Sequence, residues 1–168
     1  MLSTRKTHYL ILVSWASLVI VGFAMLNFQR LQTFDPTGKL KDIDVAEFGD
    51  LVESVTASRV KNAVVHFSQN ECTCNVTSER HIKQLNKLAK KHNYSIQTIE
   101  VGNDSFIPST PSVAILDGEG KVVYFGPYGE GLECTQTNGF VLTVFNNLLL
   151  GFSAELVVEQ AQGCYCNT

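Results

Sequence analysis

The sequence predicts an α/β domain carried behind an N-terminal membrane-spanning helix, and three observations predict it. Residues 9–28 form an uncharged stretch dominated by Leu, Ile, Val, Phe, Ala and Trp, long enough to cross a hydrocarbon core of about 30 Å. From residue 44 onward, segments with apolar residues at helical spacing alternate with short apolar runs of strand length. At one of those junctions, Cys72-Thr73-Cys74 closes the apolar run Ala63-Val64-Val65-His66-Phe67 and opens a helical segment.

Size and charge narrow the function classes. With 168 residues and 45% hydrophobic content, the chain has room for one ordinary domain plus an extension. A net charge of -3 gives no basic field for nucleic acid, so nucleic-acid binding is not expected. Arg5 and Lys6 precede the apolar stretch and Arg30 follows it, a modest bias towards a cytoplasmic N-terminus with the rest of the chain exported. The alternative is a cleaved signal peptide, with Gly22 and Ala24 as small residues before a cleavage site. The apolar stretch, however, exceeds the usual ~7–15 residues of a signal core.

The elements then follow in order. Residues 1–8 read as a cytoplasmic N-terminus, 9–28 as the transmembrane helix and 29–43, with Pro36 and Gly38 among polar residues, as a linker. Asp44 and Glu47 have capping-box spacing, and Val45, Phe48, Leu51, Val52 and Val55 predict a helix to about Arg59. The strand through Phe67 follows. After the cysteine pair, Ile82, Leu85, Leu88 and Ala89 mark the buried face of a second helix, while Arg80, Lys83, Lys87, Lys90 and Lys91 form its solvated face. A strand fits residues 95–101. Residues 113–116 and 121–125 flank Asp117-Gly118-Glu119-Gly120, which predicts a hairpin. Phe140, Val141, Val144, Phe145, Leu148 and Leu149 stripe a last helix that stops at Gly151. The domain therefore spans 44–151. A tail, 152–168, is expected to hold a short helix around Ala154 to Ala161, then Gly163-Cys164-Tyr165-Cys166.

Five cysteines are more than packing requires, and four of them form the pairs Cys72/Cys74 and Cys164/Cys166, with Cys134 left over. Thiols at a helix N-terminus meet unpaired amide groups and the positive end of the helix dipole. Both favour thiolate and can bring a cysteine pKa from about 8.5 towards ~3.5–7.5. A small structural disulfide or a pair of buried thiols is the bland alternative. His66, inside an apolar strand, reads as a satisfied core histidine, and His81 as a surface residue.

The order helix, strand, Cys-x-Cys, helix, strand, Thr-Pro, hairpin, helix resembles the thioredoxin fold over about Asp44 to Gly151. The run Pro108-Ser109-Thr110-Pro111-Ser112-Val113-Ala114-Ile115 is similar to a segment of membrane-anchored bacterial thioredoxin-like proteins. The resemblance implies a central mixed sheet flanked by helices, with Cys72 as nucleophile and Cys74 as resolving thiol. It also implies a cis Pro111 which, with Thr110, shapes a substrate groove; a free carbonyl and amide at residue 110 would pair with an extended peptide. Two departures matter: one residue, not two, separates the cysteines, and Glu71 stands where an aromatic is common. Cys72 and Cys74 then either form a small, easily reduced ring or each pair elsewhere.

In a thioredoxin fold, Cys134 would lie near Cys72, and the tail is long enough to bring Cys164 and Cys166 back to the same end. These three are expected to be auxiliary redox or disulfide residues. The leading expectation is a membrane-anchored thiol–disulfide exchange protein of the bacterial inner membrane. Its C-terminal domain would face the periplasm, act on a partner protein in the envelope, contact lipid through residues 9–28 and need no cofactor. Two alternatives stay open: a thiolate site for copper or zinc, with His66 or His81 as further ligands, and a redox-inactive binding module with structural disulfides.

Overall fold

The structure, a computed structural model, describes residues 4–28, 31–41, 43, 45–56, 60–103, 105–131 and 139–168. It begins with α1 (Thr4–Phe28), within which Lys6–Leu26 is long and apolar enough to cross a membrane. Its apolar side chains are exposed: Trp15 is 66% exposed and Phe23 70%. A core helix would bury such residues; here they stay exposed, in keeping with a helix long and apolar enough to cross a membrane.

The domain is mixed α/β. A five-stranded mixed sheet runs in the order β3-β2-β5-β6-β7, built from β2 (Ala63–Ser68), β3 (Ser95–Glu100), β5 (Ser112–Leu116), β6 (Val122–Pro127) and β7 (Leu156–Val157). β2 is parallel to β3 and antiparallel to β5, β5 is antiparallel to β6, and β6 is parallel to β7. α2 (Val45–Val55) covers one face, and α3 (Asn75–Lys91) and α4 (Phe140–Leu149) cover the other.

Strand periodicity explains how one sequence fills both faces. Ala63, Val65 and Phe67 join the cluster on the α2 face, while Val64 joins the α3/α4 face; successive side chains of a strand point to opposite sides. β5 divides likewise, with Ala114 and Leu116 on the first face and Val113 and Ile115 on the second. A strand buried on both faces reads as the unbroken apolar run seen in the sequence.

Three expectations are corrected. The stretch 29–43 read as a linker contributes Phe34 and Leu40 to the α2-face core. Within it, β1 (Gln32–Thr33) pairs antiparallel with β8 (Gln162–Gly163). Polar neighbours masked two large apolar side chains whose partners lie in the tail. Next, the tail holds no helix between 154 and 161: Leu156 and Val157 form β7, and Val158 N–H donates to Phe125 C=O. A free sheet edge and β-branched residues outweigh a weak helical pattern there. His81, finally, is buried at 4% exposure. It shares the inward stripe of α3 with Ser78, Leu85 and Ala89, to which it is related by three- and four-residue steps. Asp44 and Arg59, with which the first helix was bounded, lie outside the described residues, as does Cys134.

Candidate functional site

The site forms where the tail crosses the start of α3. β2 ends at Ser68, and a turn in which Cys72 N–H donates to Gln69 C=O leads into the helix. Cys74 is the N-cap residue of α3, and its carbonyl accepts from Thr77 N–H at 3.1 Å and Thr77 Oγ1 at 2.7 Å. Cys72 and Cys74 thus stand at the positive end of the α3 dipole, where the carbonyls of both cysteines accept from first-turn amides, those of Asn75 and Thr77.

These two cysteines are not bonded to each other. Cys72 is joined to Cys166 and Cys74 to Cys164, with Cα separations of 5.8 and 5.5 Å. Because the partner numbers run in opposite order, the two Cys-x-Cys segments lie antiparallel. The Sγ atoms of Cys72, Cys74 and Cys166 are all within 4.8 Å of one another. The structure therefore gathers four of the five cysteines, in the second of the two arrangements that the sequence left open. Cys72 and Cys74 are 5% and 6% exposed, whereas Cys164 and Cys166 are half-buried.

The Thr110–Pro111 peptide bond is cis, and the Thr110 carbonyl oxygen lies 3.6 Å from Cys72 Sγ. The edge at residue 110, expected to be free, is taken. β4 (Ser109–Thr110) pairs antiparallel with β9 (Cys166–Asn167), with Thr110 opposite Cys166 and Ser109 opposite Asn167. The chain's own tail lies where a substrate strand was expected, because two disulfides and a run of local contacts hold it there.

Those contacts come from residues the sequence did not single out. Tyr165, between the two tail cysteines, is buried at 3% exposure. Its ring meets Phe34 edge-on at 5.4 Å between centroids, and its hydroxyl donates to Gly129 C=O at 2.8 Å. Gly163 permits this, since a Cβ there would come within 2.7 Å of the Tyr165 ring. Lys39 Nζ donates to Thr168 O at 3.0 Å and to Ser105 O at 2.8 Å, and Thr168 Oγ1 donates to Ile107 C=O. The available signal was an aromatic flanked by two cysteines, which reads as an anchor only when its pocket is known.

His66 lies on β2, apart from the disulfides in its bonding. Its Nε2 donates to Asn86 Oδ1 at 2.7 Å, and its Nδ1 accepts from the Tyr128 hydroxyl. A neutral ring satisfies both contacts. Burial lowers the His66 pKa, with the Asn86 hydrogen bond opposing in part, and burial raises that of Tyr128 well above the ordinary value. Both residues favour their neutral forms. His66 is a satisfied core histidine, and among the described residues the cluster of possible metal ligands contains cysteines alone.

Residues 45–168 match a protein family described as "Domain of unknown function (DUF6436)". Neither a curated protein nor a solved structure matches the chain.

Proposed function

For this chain, which belongs to the DUF6436 family, we propose thiol–disulfide exchange with a partner protein, carried out by the nested disulfides Cys72–Cys166 and Cys74–Cys164. The observation that carries the reading is their placement. Two bridges share one sulfur cluster at the start of a helix, with the tail cysteines half-buried and the helix cysteines buried. A partner thiolate attacks Cys166 Sγ, on the more exposed cysteine of its bridge, forming a mixed disulfide and releasing Cys72 as thiolate at the positive end of the α3 dipole, which stabilises the leaving charge. A second partner thiolate then attacks the mixed disulfide. The partner leaves oxidised, and Cys72 and Cys166 remain as thiols once two protons are taken up. The Cys74–Cys164 bridge can accept a second electron pair in the same way.

This reading gives Cys166 the role of first contact and makes Cys72 the leaving thiol, with Thr110 and Pro111 seating the tail strand. A thioredoxin-like fold is supported by the sheet order, the parallel β2/β3 pair, the antiparallel β5/β6 pair and the cis bond before β5. A periplasmic position at a bacterial inner membrane fits an apolar N-terminal helix followed by a bridged domain, since disulfides persist in oxidising compartments.

A second reading, a binding module with structural disulfides, draws on the burial of Cys72 and Cys74 and on the covered edge at Thr110. One experiment separates the two. The oxidised chain in detergent is mixed with a dithiol peptide, quenched in acid and mapped by mass spectrometry. Exchange predicts a trapped adduct on Cys166 or Cys164 and release of Cys72 or Cys74 under native conditions. Bridges that open only after denaturation would establish the structural reading instead.

A further inference from the structure

Sulfurs brought together by two bridges remain neighbours when the bridges open, provided something else holds the backbone. Here the tail is held independently of sulfur: by the buried Tyr165 ring and its hydrogen bond to Gly129, by the β1–β8 pairing, and by Thr168 bound to Lys39 and Ile107. Reduction therefore leaves the two thiols of each bridge side by side.

We propose that the reduced chain binds one Zn(II) ion through Cys72, Cys74, Cys164 and Cys166. The doubly bridged form and the metal-loaded form are then the two states of one site. Sγ atoms of Cys72, Cys74 and Cys166 already lie within 4.8 Å of one another, and Cys164 is bonded to Cys74. Tetrahedral zinc, with Zn–S near 2.3 Å, asks for sulfur separations of about 3.8 Å. Opening the bridges and drawing in Cys164, which lies outside that set of three, is a matter of side-chain rotation between staggered rotamers. A closed set of four thiolates is the donor chemistry of a zinc site.

A buried hydroxyl adds a second observation. Thr110 Oγ1 is buried and has no hydrogen-bond partner among the described residues. In antiparallel register Thr110 faces Cys166, so their side chains leave the same side of the ladder with Cβ atoms about 5 Å apart. A thiolate there would give the hydroxyl the acceptor it lacks, a supporting contact of the kind that tunes metal affinity. The chemistry balances. Each disulfide takes two electrons and two protons from a dithiol, which leaves as its own disulfide, and the four thiols release up to four protons as the ion binds.

The inference goes beyond the exchange reading, and its test is independent of it. The full chain in detergent, as wild type and as Cys134→Ser, is reduced anaerobically with a phosphine and titrated with Co(II), then with Zn(II). Far-UV circular dichroism follows the fold throughout. The expected result is one Co(II) per chain with tetrahedral thiolate absorption, displaced by one Zn(II), in both proteins but not in the oxidised chain. Cys164→Ser/Cys166→Ser abolishes it, and Thr110→Val weakens binding by about tenfold with the spectrum unchanged. The proposal is overturned if the reduced chain shows no saturable binding, takes Cu(I) alone, loses the ion with Cys134→Ser, or keeps it without the tail cysteines.

Discussion

His66 shows how a single buried side chain sets a pH dependence. The ring is held neutral between Asn86 and Tyr128, and burial depresses its pKa below the ordinary 6.5. As pH falls through 6.5 the unfolded chain takes up a proton that the folded chain refuses, so stability drops towards the lower native value; above 6.5 the contribution is complete. His66→Gln removes this titration. The denaturation midpoint of the wild type is expected to fall relative to that of the variant between about pH 7.5 and 5.5, and a constant difference across that range would remove the assignment. Tyr165 is the second residue with a definite expectation. Tyr165→Ala empties a site packed against Phe34 and orphans the Gly129 carbonyl. The expected loss is about 3–5 kcal/mol in denaturant titration. Gly163→Ala forces the same ring aside from the other direction, since its Cβ would meet the ring at 2.7 Å; it should lower the midpoint in the same direction.

At the scale of elements, the tail behaves as part of the sheet system. β8 pairs with β1, β9 with β4, and β7 with β6, so one 13-residue stretch, 155–167, meets three separate segments. The two bridges close nested loops, with sequence separations of 94 and 90. In the chain-entropy picture the first bridge restrains the unfolded chain by about 4–5 kcal/mol. The second then closes only the small ring between the two Cys-x-Cys segments, worth about 2 kcal/mol. The two contributions are therefore not additive. Removing either bridge alone, as Cys72→Ala/Cys166→Ala or Cys74→Ala/Cys164→Ala, should cost about 2 kcal/mol, and removing both about 6–7 kcal/mol, well above the sum of the two single losses. Equal, independent losses summing to the total would show that the loops do not restrain the unfolded chain as one.

For the whole molecule, the tether is short. α1 ends at Phe28 and β1 begins at Gln32, whose partner Gly163 adjoins Cys164. Four residues span at most about 14 Å, so a membrane-inserted α1 keeps the cysteine cluster close to the bilayer. Full-length protein is expected to stay with membranes through carbonate washing, and a chain starting at residue 31 to be released. In spheroplasts, a membrane-impermeant thiol reagent applied after mild reduction should label Cys164 and Cys166 if the domain is periplasmic. Labelling only after the inner membrane is opened would place the domain on the other side.

The sequence by itself determined the local elements: the apolar N-terminal helix, the strands through Phe67 and around the Gly118/Gly120 turn, the amphipathic α3 and α4, and the position of Cys72 and Cys74 at a helix start. These follow from periodicity and turn chemistry, which act over a few residues and are written in neighbouring side chains. The role of 31–41, the strand at Leu156–Val157 and the burial of His81 were not legible, because each depends on a partner far away in the chain. The same holds for the site. That the cysteines matter was visible in their spacing, but that Cys72 pairs with Cys166 and Cys74 with Cys164 was decided by the tail's return. Its cause is the burial of Tyr165 against Phe34 and the pairing of Cys166 with Thr110. A spacing pattern names which sulfurs are near each other along the chain; only packing over some 90 residues of separation determines which sulfurs bond.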